Sequence, residues 1–119
     1  MKPTELQNRT KQLAINIARF CENMPKRSIF RPYSNQLIPA SSSVGANYRA
    51  ACRAKSTADF INKLKIVEEE CDECMFFLEL VGELEYSLGN EIKPIYDEAN
   101  QILSIIVASI NTARKNRKS

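Results

Sequence analysis

Residues 57–81 read TADFINKLKIVEEECDECMFFLELV, and this stretch decides the fold. Apolar side chains recur in it at alternating steps of four and three residues, the spacing of one buried face of an amphipathic helix. The members of this stripe are Phe60, Leu64, Val67, Cys71, Cys74, Leu78 and Val81. Ser56 can cap the first turn, and Asp59 stands at the third helical position, which makes the pair close to a capping box. The stretch predicts a continuous helix about 37 Å long, at 1.5 Å per residue.

Three further amphipathic segments surround this helix in the chain. They run from about 4 to 24, from 33 to 54 and from 91 to 113, and each repeats the same apolar spacing. Four helices of similar length joined by short loops predict an all-α, antiparallel up-down-up-down four-helix bundle. We expect one domain over residues 1–119, with a basic, frayed C-terminal tail at 114–119.

Prolines and glycines predict where these helices bend or end. Pro39 lies inside the second segment and should kink or divide it. Leu88-Gly89-Asn90 has the composition of a helix stop. Pro94 is then expected in the first turn of the last helix.

Composition argues against most enzymes. The chain has no histidine, which removes the commonest general base and most catalytic zinc sites. Cys71 and Cys74 have the CxxC spacing, yet both lie on the apolar stripe among carboxylates, so we expect buried, reduced, inert thiols. Zinc would need Cys21 and Cys52 to converge on them, and a di-iron site would need histidines. We therefore expect no enzyme, no cofactor and no small-molecule substrate.

The same features indicate a cytoplasmic protein. No apolar run approaches the roughly 20 residues of a membrane span. The N-terminal residues 1–9 are polar and lack the apolar segment of a signal peptide. We expect no membrane partner.

Charge is divided unevenly along the chain. Residues 1–55 carry ten basic and two acidic side chains, a balance of +8. Residues 56–110 carry three basic and twelve acidic ones, a balance of −9, and the tail from residue 111 adds +4. The two halves can pair within one chain, pair between copies, or leave one basic surface for an acidic partner.

The candidate nucleic-acid-binding residues are the cations at the end of the second segment and in the C-terminal tail, although the predicted hairpin places Asp59 near Arg53. Arg49 and Arg53 are four residues apart on one helical face, and Arg49 has no acidic residue opposite it in its own hairpin. The candidates are Arg49, Arg53, Lys55, Arg114, Lys115, Arg117 and Lys118. The small residues at 41–51 have poor helix propensity, so we expect that face to pack against protein, at or near a subunit contact.

The sequence also resembles a known family. The residues that carry the resemblance are 41–51, 53–56, Asp59-Phe60, Leu64, 66–69 and Asp72-Glu73. They resemble the bacterial four-helix-bundle proteins first noticed as reading frames inside intervening sequences of 23S ribosomal RNA genes. The chain departs from the commonest family form at Val44-Gly45 and at 48–51.

The resemblance implies a left-handed antiparallel bundle that assembles into a ring-like homopentamer. At the level of the fold, it also implies similarity to the accessory proteins of diversity-generating retroelements, which bind reverse transcriptase and nucleic acid. It implies no enzymatic activity and transfers no functional residue.

Two functional hypotheses follow. The first is a non-enzymatic, self-assembling bundle that presents a basic surface to RNA or DNA. The alternative is a structural or protein-interaction adaptor in which the charged halves are consumed by self-association and no nucleic acid is bound.

Overall fold

The computed structural model describes residues 1–118, apart from the side chain of Lys118. It contains four α-helices: α1 (Pro3–Glu22), α2 (Arg31–Cys52), α3 (Thr57–Leu84) and α4 (Gly89–Lys118). Short 3-10 turns at Ser28–Phe30 and Tyr86–Leu88 join α1 to α2 and α3 to α4. The described residues form no strand, and the predicted all-α four-helix bundle is confirmed.

The helices pack around a square, with α1 and α3 each contacting both α2 and α4. The bundle is an elongated body of 52 × 21 × 19 Å. The least extensive of its four helix–helix interfaces, which we call the α1–α4 seam, lies between α1 and α4. Because neighbouring helices run antiparallel, the α2–α3 turn lies at the same end of the bundle as the C-terminal end of α4. We call this the α2–α3 end.

The predicted third helix is confirmed and continues three residues further, to Leu84. The Ser56 hydroxyl accepts a 3.1 Å hydrogen bond from the backbone N–H of Asp59. The Asp59 carboxylate accepts a 3.2 Å hydrogen bond from the backbone N–H of Lys55. In a capping box it would accept from the N–H of the cap residue itself, Ser56. The apolar stripe is buried, except that Phe60 is half-buried and the adjacent Ile61 points inward in its place.

The second helix departs from the prediction at its proline. The residue Pro39 lies within one continuous helix, which does not divide there. Its side chain is exposed, on the solvent side of α2. The carbonyl of Asn35, which loses its helical partner to the proline, therefore lies on the side of the helix where water can reach it.

The fourth helix begins and ends further out than predicted. Gly89 has φ −54° and ψ −41°, so it starts α4 rather than stopping a helix. Pro94 consequently falls in the second turn and not in the first. The helical backbone continues past Ala113 to Lys118, where no glycine or proline interrupts it. Fraying of the basic tail stays a prediction.

The small residues of α2 allow α1 to approach closely. A Cβ atom added at Gly45 would lie 3.6 Å from the backbone of Thr10. Thr10 and Ser41 are fully buried, and their hydroxyls donate to the backbone oxygens of Gln7 at 3.0 Å and Ile38 at 3.2 Å. The expectation that this face packs against protein is confirmed within the chain at Ser41 and Gly45, whereas Ser42 and Ala46 are exposed. A subunit contact on the same face stays a prediction.

Candidate nucleic-acid interface

The α2–α3 turn brings four basic side chains around one shallow groove. Arg49 lies in the last turn of α2, Arg53 follows its end, and Lys55 lies in the turn itself. Lys63, two turns into α3, completes the set. The groove has a volume of about 710 Å³. Its lining, which we call the basic groove, is Ala46, Arg49, Ala50, Arg53, Lys55, Ser56, Asp59 and Lys63.

The cations of the basic groove have no carboxylate partner among the described residues. The ion pairs of residues 1–117 join Arg9 to Glu98, Arg27 to Glu85 and Lys93 to Asp97, all outside the groove. Asp59 is the acid in the lining, and its carboxylate accepts the Lys55 N–H. The prediction that Arg49 lacks an acidic partner in its own hairpin is therefore confirmed.

A second groove, about 420 Å³ in volume, lies between α1 and α2. Lys11 of α1 and Arg49 of α2 both line it, and Ala46 and Arg49 line both grooves, so the two grooves are contiguous. We call this second one the α1–α2 groove. Its lining is Gln7, Asn8, Lys11, Ala14, Ser42, Gly45, Ala46 and Arg49.

Sequence reasoning did not nominate Lys11 or Lys63. Lys63 lies one helical turn beyond Asp59, so a helical projection of α3 could have found it. Lys11 is separated from Arg49 by most of two helices, and their relative height depends on how α1 packs against α2, as it does where Gly45 approaches Thr10.

The C-terminal candidates lie at the same end of the bundle but outside both grooves. Arg114, Lys115 and Arg117 are exposed on the last turns of α4. The register of α4 against α3 is marked by the Cys71 thiol, which donates to the backbone oxygen of Ala99 at 3.1 Å. The side chain of Lys118 lies outside the described residues.

The cysteines are core residues except for one. Cys21, Cys71 and Cys74 are buried and unbonded to one another, whereas Cys52 is exposed. Burial, with a smaller contribution from Asp72, raises the pKa of Cys71 to about 12. Burial also raises the pKa of Cys74, helped by nearby Cys71 and acidic neighbours. The predicted core position of the CxxC cysteines is confirmed.

The described residues have neither a cluster of metal-ligating side chains nor a helix suited to cross a membrane. No three cysteine, aspartate or glutamate side chains within residues 1–117 are grouped so that they could hold a metal ion. No helix in the part of the chain that the structure describes is long and apolar enough to cross a membrane.

The acidic residues of α3 lie away from the basic groove, along the middle of the helix. Burial first, and then its neighbours Glu73 and Glu69, raise the pKa of Glu70. Ile66 and Phe76 lie on either side of these acids, and Phe76 is 53% exposed. The outer surface of α3 is thus both acidic and apolar.

The fold and the grooves define a class: a small antiparallel four-helix bundle, here with four cations lining a groove at one end. The chain belongs to the 23S rRNA-intervening sequence protein family, whose model matches residues 2–108. The basic residues from Arg114 onward lie beyond that match.

A solved structure shows the same fold. It is the crystal structure of a protein with unknown function from the S23 ribosomal protein family of Bacteroides thetaiotaomicron. The two chains are 29% identical, and the match covers 93% of this chain and 99% of the other with a TM-score of 0.84. No curated protein matches the chain in sequence.

Proposed function

We propose that this protein is a non-enzymatic, cytoplasmic, self-assembling helical bundle that binds nucleic acid, RNA in particular, through its α2–α3 end. The observation that carries the proposal is the basic groove, where Arg49, Arg53, Lys55 and Lys63 converge without an ion-pair partner. Unpaired cations held close together on rigid helices are the arrangement that phosphate oxygens bind. Each phosphate they neutralise releases condensed counterions.

Self-assembly would place several copies of this weak binding surface on one particle. The family resemblance implies a ring-like homopentamer, and each copy would add its own basic groove and its own C-terminal cations. A long nucleic acid that contacts one copy meets the next at high effective concentration, so avidity exceeds the affinity of a single copy.

The adaptor function is the second candidate, and the outer surface of α3 favours it. Exposed Ile66 and Phe76 beside a run of carboxylates could dock a protein or a second copy of the chain. In that case the basic groove would meet carboxylates of another subunit and leave no charge for RNA.

The experiment compares two variants with the unmodified protein by light scattering and by RNA titration at two salt concentrations. One variant is Arg53→Gln in the basic groove, and the other ends at Ala113, whose side chain packs against the core. The control is Lys26→Gln, which removes the same charge in the loop after α1, away from the α2–α3 end.

We expect both variants to keep the oligomer and to bind RNA more weakly and with a smaller salt dependence, while the control changes neither property. Charge reversal of Arg49, at the junction of the two grooves, should disturb binding or assembly. An intact oligomer that ignores RNA and DNA at low salt would refute the proposal and support the adaptor function.

A further inference from the structure

We propose that the outer face of α2 is the floor of a track for the sugar-phosphate backbone of double-helical nucleic acid, with Lys63 of α3 on one side, Lys11 of α1 on the other and Arg49 between them. This inference rests on the proposed function and specifies both the interface and the class of nucleic acid. It follows from the contiguity of the two grooves, which share Ala46 and Arg49. We call the joined surface the α2 track.

The floor of the α2 track is recessed because its residues are small. Ser42, Gly45, Ala46 and Ala50 form it, while longer side chains of α1 and α3 stand on either side. Ser42 and Ala46 are exposed although they follow the buried Ser41 and the half-buried Gly45. The contact between Gly45 and Thr10 explains why one side of this small-residue face is packed inside the chain. The outward side remains open to solvent at Ser42 and Ala46.

The groups along the α2 track match a phosphate backbone. Five cations line it, and the α1 wall adds the amide side chains of Gln7 and Asn8. Cations, amides and hydroxyls are the groups that contact phosphate and sugar oxygens, and they fix position without reading sequence. The cations are Lys11, Arg49, Arg53, Lys55 and Lys63.

The same composition favours a duplex over a single strand. Sites for single strands combine a basic groove with aromatic side chains on which unpaired bases stack. The surface of the α2 track consists instead of small, amide and charged side chains, which offer contacts to a backbone whose bases are already stacked on each other. The unpaired donors of this surface can bind phosphate and ribose oxygens, including the 2′-hydroxyl of an RNA duplex.

The test uses three probes of equal length, about 16 base pairs or nucleotides: an RNA duplex, a DNA duplex of the same sequence and the corresponding single strand. Polyglutamate serves as an anion without a backbone of phosphates. If all five cations contact phosphates, the plot of log K against log salt for the DNA duplex has a slope of about −4.5. Lys11→Gln should reduce the magnitude of this slope by about 0.9, which weakens binding about eightfold at 0.1 M salt.

A variant that changes shape but no charge distinguishes binding in a shaped track from binding by diffuse positive charge alone. Ala46→Leu adds bulk to the shared floor at an exposed helical position without changing any charge. Ala108→Leu adds the same bulk at an exposed position of α4, outside both grooves. We expect Ala46→Leu to weaken duplex binding at least tenfold and Ala108→Leu to leave it unchanged, with the oligomer intact in both by light scattering.

Each contrary result has a separate meaning. A single strand that binds as tightly as the duplexes, or equal binding by the two leucine variants, overturns the α2 track and leaves the proposed function standing. Polyglutamate that binds as tightly as the duplexes overturns the α2 track in favour of an acidic protein partner. Loss of the oligomer in Ala46→Leu shows that the face is a subunit contact and also overturns it. No binding to any nucleic acid overturns the proposed function itself.

Discussion

Replacement of Gly45 by alanine tests how closely α1 and α2 approach. Glycine inside a helix is less favourable than alanine by about 0.5–1 kcal/mol, because it loses more backbone freedom on folding. The Cβ atom of alanine would lie 3.6 Å from the backbone carbon and oxygen of Thr10, an ordinary van der Waals separation. Gly45 also has a right-handed helical φ, which alanine adopts without strain. We therefore expect Gly45→Ala to stabilise the protein by about 0.5–1 kcal/mol.

The assay is urea-induced unfolding followed by far-ultraviolet circular dichroism, at one fixed protein concentration because self-assembly would make stability concentration-dependent. With an m-value of about 1.5 kcal/mol/M, the expected gain raises the midpoint by about 0.3–0.7 M. Gly89→Ala is the matched control, since nothing lies within 4 Å of its Cβ position. Because Gly89 is the first residue of α4, its gain should be smaller.

A loss of stability in Gly45→Ala would refute this reasoning. If the variant is destabilised by more than about 1 kcal/mol, α1 and α2 must be closer than a methyl group allows. Glycine at position 45 would then be required for the close approach of the two helices, whereas the exposed Ser42 and Ala46 would be unaffected.

Three further predictions concern the core, pH and the α1–α4 seam. Leu78→Ala removes a fully buried side chain and should cost about 2–5 kcal/mol in the same urea assay; a cost below about 1 kcal/mol would contradict close packing there. The pKa of Cys71 is higher in the folded protein than the ordinary value of 9.0, so its contribution to stability is present below pH 9 and is lost as pH rises towards 12. The free energy of unfolding should therefore fall above pH 9, and less steeply in Cys71→Ala; parallel curves would show that the thiol is not buried. Arg9 donates from Nε and Nη2 to the two carboxylate oxygens of Glu98, at 2.8 and 2.6 Å. Arg9→Lys should lose the paired geometry and about 0.5–1 kcal/mol, since the pair is partly exposed, and the difference should shrink as salt rises.

The candidate site was partly accessible to sequence reasoning. Arg49, Arg53 and Lys55 are close in the chain, and the predicted hairpin already showed that no carboxylate faces Arg49. Lys63 needed only the helical projection of α3. Lys11 could not be found in this way, because its distance from Arg49 depends on how α1 packs against α2, as it does where Gly45 approaches Thr10.

The sequence by itself determined the number of helices, their buried faces and the cap at Ser56, because periodicity and capping depend on residues within a few turns of each other. The tertiary structure decided what depends on distant parts of the chain. Pro39 is accepted inside α2 because it faces solvent, and Gly89 begins α4 directly after the 3-10 turn, with right-handed helical φ and ψ. Likewise, cations from α1, α2 and α3 form one surface only when three helices pack side by side. No local sequence pattern predicts the distances between these cations, because they lie on different helices.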